Sequence, residues 1–122
     1  MSVFSIEVPA DPRWLHVARA TAIAGVSAMP TADVDFLDDA LLAIGESVLE
    51  VATNPGVAQL GIRVEISDDL FSIDMTGIGD GIEYDDGDGV FEAVLTGLAD
   101  ERSIRREREG YAVRFSMTAP IL

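Results

Sequence analysis

The chain has 122 residues, 48% of them hydrophobic, which suits one domain with a real core. A net charge of −14 and a pI near 4.1 argue against nucleic acid and against an anionic membrane surface, since affinity for either comes from Lys and Arg. The same charge favours a basic protein partner, or simply good solubility.

There is no cysteine, so disulfides and thiolate chemistry are excluded and a cytoplasmic address fits. His16 is the single histidine and cannot build a His-rich zinc site. No apolar run reaches the roughly 18–20 residues of a membrane span. Glu7 and Asp11, with no basic region before them, do not read as a signal peptide. All eight positive charges are arginines. Neither a repeat nor a linker divides the chain, so residues 1–122 read as a single domain.

"VFSIEV" alternates Phe4, Ile6 and Val8 with Val3, Ser5 and Glu7, a half-buried strand. "PADPRW" opens a first helix, with Asp11 as its cap and Pro12 in its first turn, running to about Ala28. Its apolar positions include Leu15, Ala18, Ile23 and Val26. "MPTAD" breaks it, and Thr31 or Asp33 can cap the next helix. In that second helix Leu37, Leu41, Ile44, Val48 and Val51 recur at helical spacing and predict one inward face. "TNPG" ends it.

Two strands follow, carrying Ile62, Val64 and Ile66, then Phe71, Ile73 and Met75, with Asp68 and Asp69 as a hairpin turn. "TGIGDGIEYDDGDG" is a loop dense in Gly and Asp. "VFEAVLTGLADE" predicts a short third helix with Val90, Val94, Leu95 and Leu98 inward. "RSIRRERE" and "YAVRFSM" form a terminal hairpin turning at Glu109 and Gly110, with Val113, Phe115 and Met117 on one side. The order β-α-α-β-β-α-β-β predicts an α/β (α+β) two-layer sandwich, a mostly antiparallel mixed sheet with three helices on one face.

That order, with "VPADP", "LLAIGESVLEVATN", "FSIDMTGIGDG" and "LADERSIRRE", resembles the anti-sigma factor and serine-kinase branch of the GHKL ATPases, the RsbW- and SpoIIAB-like proteins of the Bergerat, histidine-kinase-like fold. The resemblance covers nearly the whole chain. It implies a small cytoplasmic bacterial protein that binds a sigma factor, often phosphorylates a STAS-domain anti-anti-sigma protein, and forms a homodimer.

The family carries on its second helix a Glu that acts as base and, four residues later, an Asn that helps hold Mg²⁺ beneath the ATP phosphates. Glu46 takes the first place here and Glu50 the second. One helical turn apart, the two share a face. A carboxylate can ligate Mg²⁺, but it adds charge where three phosphates would lie. The plainer account is a solvated stripe on an exposed helix side.

The family also ends a strand with Asp-x-Gly-x-Gly, whose Asp holds the adenine amino group. Gly77 and Gly79 fit the glycines, but Met75 stands where that Asp should be. Asp74 is no easy substitute, because alternate strand residues point to opposite faces. A thioether is a weak acceptor in place of a directional one. In the family's phosphate-binding loop this chain places Asp80, Glu83, Asp85, Asp86 and Asp88, with no Arg between Arg63 and Arg102.

Other readings of the same residues are plainer. An EF-hand with Gly89 sixth would need ligands at Tyr84 and Leu95, so that match fails. Arg102, Arg105, Arg106 and Arg108 alternate with Glu101, Glu107 and Glu109, which suggests cross-strand ion pairs or a docking site for an acidic partner. His16 reads as a surface or half-buried residue, and Trp14 as core or helix packing.

The expectation is therefore an anti-sigma-factor-like regulatory protein. It would act by protein–protein binding, with a degenerate nucleotide site and no cofactor. Its partners would be a sigma factor, a STAS-domain protein or both, with Arg13, Trp14 and Arg19 as a contact face. The alternative is an active serine kinase, with ATP and magnesium as cofactors, Glu46 as base, Glu50 on Mg²⁺, and Gly77 and Gly79 against the nucleotide. A third reading is an interaction domain with an unrelated signalling partner.

Overall fold

Caps and alternation set the elements. The computed structural model describes residues 2–83, 89–107 and 110–120. In chain order these form β1 (Ser2–Pro9), α1 (Pro12–Val26), α2 (Val34–Ala52), β2 (Gln59–Ile66), β3 (Leu70–Ile78), α3 (Val90–Leu98), β4 (Glu101–Glu107) and β5 (Gly110–Thr118), the predicted order. Asp11 caps α1 by accepting from the Arg13 N–H at 3.0 Å. That bond, with the Arg13 side chain, lowers the Asp11 pKa. Asp33 caps α2, accepting from the Phe36 N–H at 2.8 Å. Thr31 instead donates its hydroxyl to the Asp68 carbonyl at 2.9 Å, tying the inter-helix segment to the β2–β3 turn.

The sheet order is β1-β2-β3-β5-β4. Every neighbouring pair is antiparallel, so the sheet is simpler than the mixed one expected. The β2–β3 hairpin turns at Asp68 and Asp69 as predicted, closed by the Ser67 N–H donating to the Leu70 carbonyl at 2.8 Å. At the other hairpin Glu107 faces Gly110; Arg108 and Glu109, where the turn was expected, lie outside the described residues.

One sheet face is apolar. Across β2, β3 and β5 the rows Val64–Ile73–Phe115 and Ile62–Met75–Val113 are in register, and all six residues are buried. The helices cover this face. Phe71 meets Phe36 of α2 edge-on at 5.8 Å and Phe115 at 6.1 Å. The opposite face is polar, with Arg63, Asp74 and Arg114 in one row.

Three expected core assignments change. On α2, Ile44, Val48 and Val51 are buried as expected, but so are Phe36, Ala40, Ala43 and Ser47, while Leu41 is 49% exposed. At 3.6 residues per turn Leu41 stands about 80° round the helix from Val51, at the edge of the buried stripe. On α3 only Leu95 is fully buried, and Val90 is 54% exposed, because this nine-residue helix sits over the sheet edge. Trp14 is 46% exposed and so does not belong to the core.

The arginines of β4 also differ from expectation. Strand parity turns Arg102 and Arg106 toward α3, where Arg102 Nε donates to Thr96 Oγ1 at 2.7 Å and Arg106 pairs with Glu92 at 3.4 Å. The cross-strand ion pair found on the open face is Arg114 with Asp74, at 3.8 Å.

Truncating Phe71→Ala should lower stability by about 3–5 kcal/mol, whereas Leu41→Ala should change it by less than about 0.5 kcal/mol. Urea-unfolding midpoints of the two variants check the assignment of inward and outward faces.

Candidate functional site

Met75, Gly77 and Gly79, which the resemblance assigns to nucleotide, lie at and just past the end of β3. Inward parity gives Phe71, Ile73, Met75 and Gly77; outward parity gives Ser72, Asp74 and Thr76. Met75 is fully buried between Ile62 and Val113. Asp74 lies on the opposite face of the sheet, beside Arg114. Neither residue offers an acceptor on the helix side at this point of the strand.

The two glycines are accounted for by the chain's own packing. A Cβ on Gly77 would lie 2.9 Å from Val51 Cγ1 and 3.2 Å from both Val57 methyls. A Cβ on Gly79 would collide with the Gly56 carbonyl. Gly56 itself adopts φ +93°, a conformation that favours glycine, and faces the Gly81 carbonyl. Ala58 N–H donates to the Ile78 carbonyl at 2.8 Å, and Glu83 N–H to the Pro55 carbonyl at 2.9 Å. The turn after α2 therefore lies along the glycine segment. Asp80 and Glu83 are exposed; Asp85, Asp86 and Asp88 lie outside the described residues.

On α2 the structure sends the two carboxylates in different directions. Glu46 lines a groove shared with His16 and Arg19 of α1. Glu50 accepts a hydrogen bond from the Tyr111 hydroxyl at 3.1 Å. Tyr111 was not singled out from the sequence, although it begins the inward alternation that continues through Val113, Phe115 and Met117. It is fully buried and stands opposite Gly77 across β3 and β5. The Arg106 guanidinium lies 5.6 Å from the centre of its ring. Burial, then the Glu50 charge, push the Tyr111 phenol up to about 12, against an opposing pull from Arg106.

A second pair on α2 has the same spacing. Glu50 and Asn54, in "EVATN", meet the Glu-then-Asn spacing of four residues that the resemblance calls for, one turn beyond Glu46. Asn54 is buried, and its side-chain amide donates to the Glu50 carbonyl, closing the end of α2. The signal was present in the letters: an Asn four residues after a Glu at the end of the helix. So α2 supplies a Glu–Asn pair at that spacing, and the inward positions of β3 carry no carboxylate. The described residues contain no cluster of three or more His, Asp or Glu placed to hold a metal ion.

Of the proposed contact residues, Arg13 and Trp14 are exposed at the start of α1, and Arg19 is half-buried where α1 meets the groove. Arg13 lies 3.5 Å from Asp11. No helix among the described residues is long and apolar enough to cross a membrane.

An antiparallel five-stranded sheet covered on one face by three helices in this order makes an RsbW-like fold. Among solved structures the chain is similar to the RsbU and RsbW domains of Rv1364c from Mycobacterium tuberculosis, with a TM-score of 0.69 and 16% identity. The match covers 100% of this chain and 35% of that one, so this chain spans about a third of its length. No protein-family model and no curated protein matches the sequence.

The Tyr111 shift predicts an alkaline limit to stability. Its folded pKa lies above the unfolded tyrosine value of about 10. Above pH 10 the unfolded chain therefore binds fewer protons than the folded one, so stability is complete below about pH 10 and falls as pH rises toward 12. The chain has no lysine or cysteine to obscure this window. Urea midpoints measured from pH 8 to 11.5 should decline above pH 10 in the wild type, and Tyr111→Phe should flatten that decline.

Proposed function

We propose that this chain is an anti-sigma-factor-like regulatory protein that works by binding protein partners, without binding ATP or transferring phosphate. The observation that carries this reading is Met75. It is fully buried at the strand position where the resemblance asks for an adenine-binding Asp. A site built to hydrogen-bond a group loses discrimination by several orders of magnitude when the acceptor is gone. Moving Asp74 into that role would require a bulge in β3, yet β3 pairs without interruption with both β2 and β5.

A charge of −14 supports an electrostatic choice of partner. A basic sigma-factor segment, of the kind that contacts DNA, is complementary to it, and binding would mask that segment. A STAS-domain protein competing for the same chain would release the sigma factor. A homodimer and a cytoplasmic location belong to the same proposal.

The kinase reading has one observation in its favour: Glu50 and Asn54 at the family spacing. Against it, the Glu50 carboxylate is already held by Tyr111, and β3 offers nothing to read adenine.

Thermal unfolding with and without millimolar ATP and magnesium separates the two. A ligand at a hundredfold its dissociation constant adds about 2.7 kcal/mol, which is a shift of several degrees for a domain of this size. The expected result is no nucleotide-dependent shift, together with a stable complex between this protein and a sigma factor from the same cell on gel filtration. An ATP-specific shift accompanied by phosphate transfer to a STAS-domain serine would overturn the proposal.

A further inference from the structure

We infer that the groove between α1 and α2 is a docking site for a basic amphipathic helix of a protein partner, an inference that rests on the binding role proposed above. The groove has a volume of about 510 Å³. Its floor is made of small residues, Ala20 on α1 and Gly45 on α2, beside Ile23. Its wall is Leu41, Leu42 and Leu49, which are 49%, 48% and 44% exposed. Three leucines on one stretch of a helix, none of them buried by the chain itself, form an apolar stripe without a partner among the described residues. At Gly45 a Cβ would meet only the Arg19 side chain, at 3.9 Å, so the space above it is open.

The rim states the chemistry of the occupant. α2 has no basic residue. Asp38 and Glu46 border the groove directly, and Arg19 is the one arginine there. An occupant must therefore bring apolar side chains for the leucine wall and cations for the α2 side. A second copy of this chain would bring the same carboxylates and a further charge of −14, so self-docking through this groove sets like charges face to face.

The dimensions fit a helix. From Asp38 to Leu49 the groove follows α2 for about 16 Å, three helical turns. Leu42 and Leu49 are two turns apart, about 10 Å along the axis, which matches apolar anchors seven residues apart on a partner helix, the usual register of helix-in-groove recognition.

The probe is a synthetic 15-residue helical peptide with leucines at positions i, i+4 and i+7 and lysines flanking them. The control has the same composition with the leucine spacing broken. Amide shifts on titrating the wild-type protein should concentrate at Ala20, Leu42, Gly45 and Leu49. Gly45→Leu, which fills the groove, and Leu42→Asp, which wets its wall, should each weaken binding about tenfold or more. Asp38→Lys should weaken the lysine-bearing peptide more than a glutamine-flanked version. Both groove positions are exposed or open, so these variants should fold, and a wild-type unfolding midpoint for each verifies it.

The inference is overturned if the periodic peptide does not bind, if the control binds equally well, if the shifts fall elsewhere, or if the variants have no effect. It is also overturned if sedimentation shows a homodimer that Gly45→Leu dissolves, because the occupant is then a second copy. The two proposals fail separately. A sigma-factor complex that Gly45→Leu leaves at full affinity sinks the groove and spares the binding role; a wild-type protein that holds no sigma factor sinks the role, while the peptide still judges the groove.

Discussion

The pleat of β3 is the constraint from which the rest follows. It is the central strand of five, paired on both sides without a break, so its side chains have no freedom to change face. A slip of one residue would turn Phe71, Ile73 and Met75 out to water and bring Ser72, Asp74 and Thr76 under the helices. The burial of the first set fixes the register, and the register fixes Met75 in the core. A carboxylate in that place would be buried without a partner, which costs several kcal/mol. The larger, apolar thioether packs there at no such cost. The strand thus gains packing at the point where the resemblance asks for an acceptor.

Beyond Met75 the same strand meets the turn after α2. Gly77 gives room to Val51 and Val57, and Gly79 to the Gly56 carbonyl. Across the sheet from Gly77, Tyr111 carries the contact back to α2 through Glu50, and Arg106 over its ring continues to Glu92 on α3. The outer ion pair is partly exposed and contributes little. The buried phenol matters more, because its hydroxyl loses water on folding and needs the Glu50 oxygen. α2, β5, β4 and α3 are joined by this chain of polar contacts at the end of the sheet where the resemblance places a nucleotide. The outer surface of α1 and α2 is built in the opposite way, with apolar side chains left out and carboxylates around them. The polar contacts thus gather at one end of the sheet, and the helix surface keeps an open apolar stripe.

Much of this was legible in the letters because it depends on short periods. Asp11 and Asp33 before their helices, the Asp68–Asp69 turn, and alternation in β2, β3 and β5 all act within a few residues. The opposite facing of Asp74 and Met75 is such a local fact, and the structure places both residues accordingly. Other features required long-range information. Leu42 and Leu49 recur at helical spacing as well as the buried residues do, and only the placement of α2 on the sheet decides which stripe is covered. Arg102 and Arg106 looked like surface strand residues until α3 was laid over β4. Tyr111 reads as one more aromatic residue in a strand until the register sets it beside Gly77 and Glu50. The Glu50–Asn54 pair is local too: it repeats, one turn later, the four-residue spacing of Glu46 and Glu50.

The most direct measurement is a two-dimensional amide spectrum of the protein titrated with magnesium and ATP, read at Gly56, Gly77, Ile78 and Gly79. If this strand end is filled by the chain's own packing, those four resonances stay in place to millimolar nucleotide. Saturable movement of the four together, absent with a nucleotide lacking the adenine base, would show a seated purine and contradict the account at its centre.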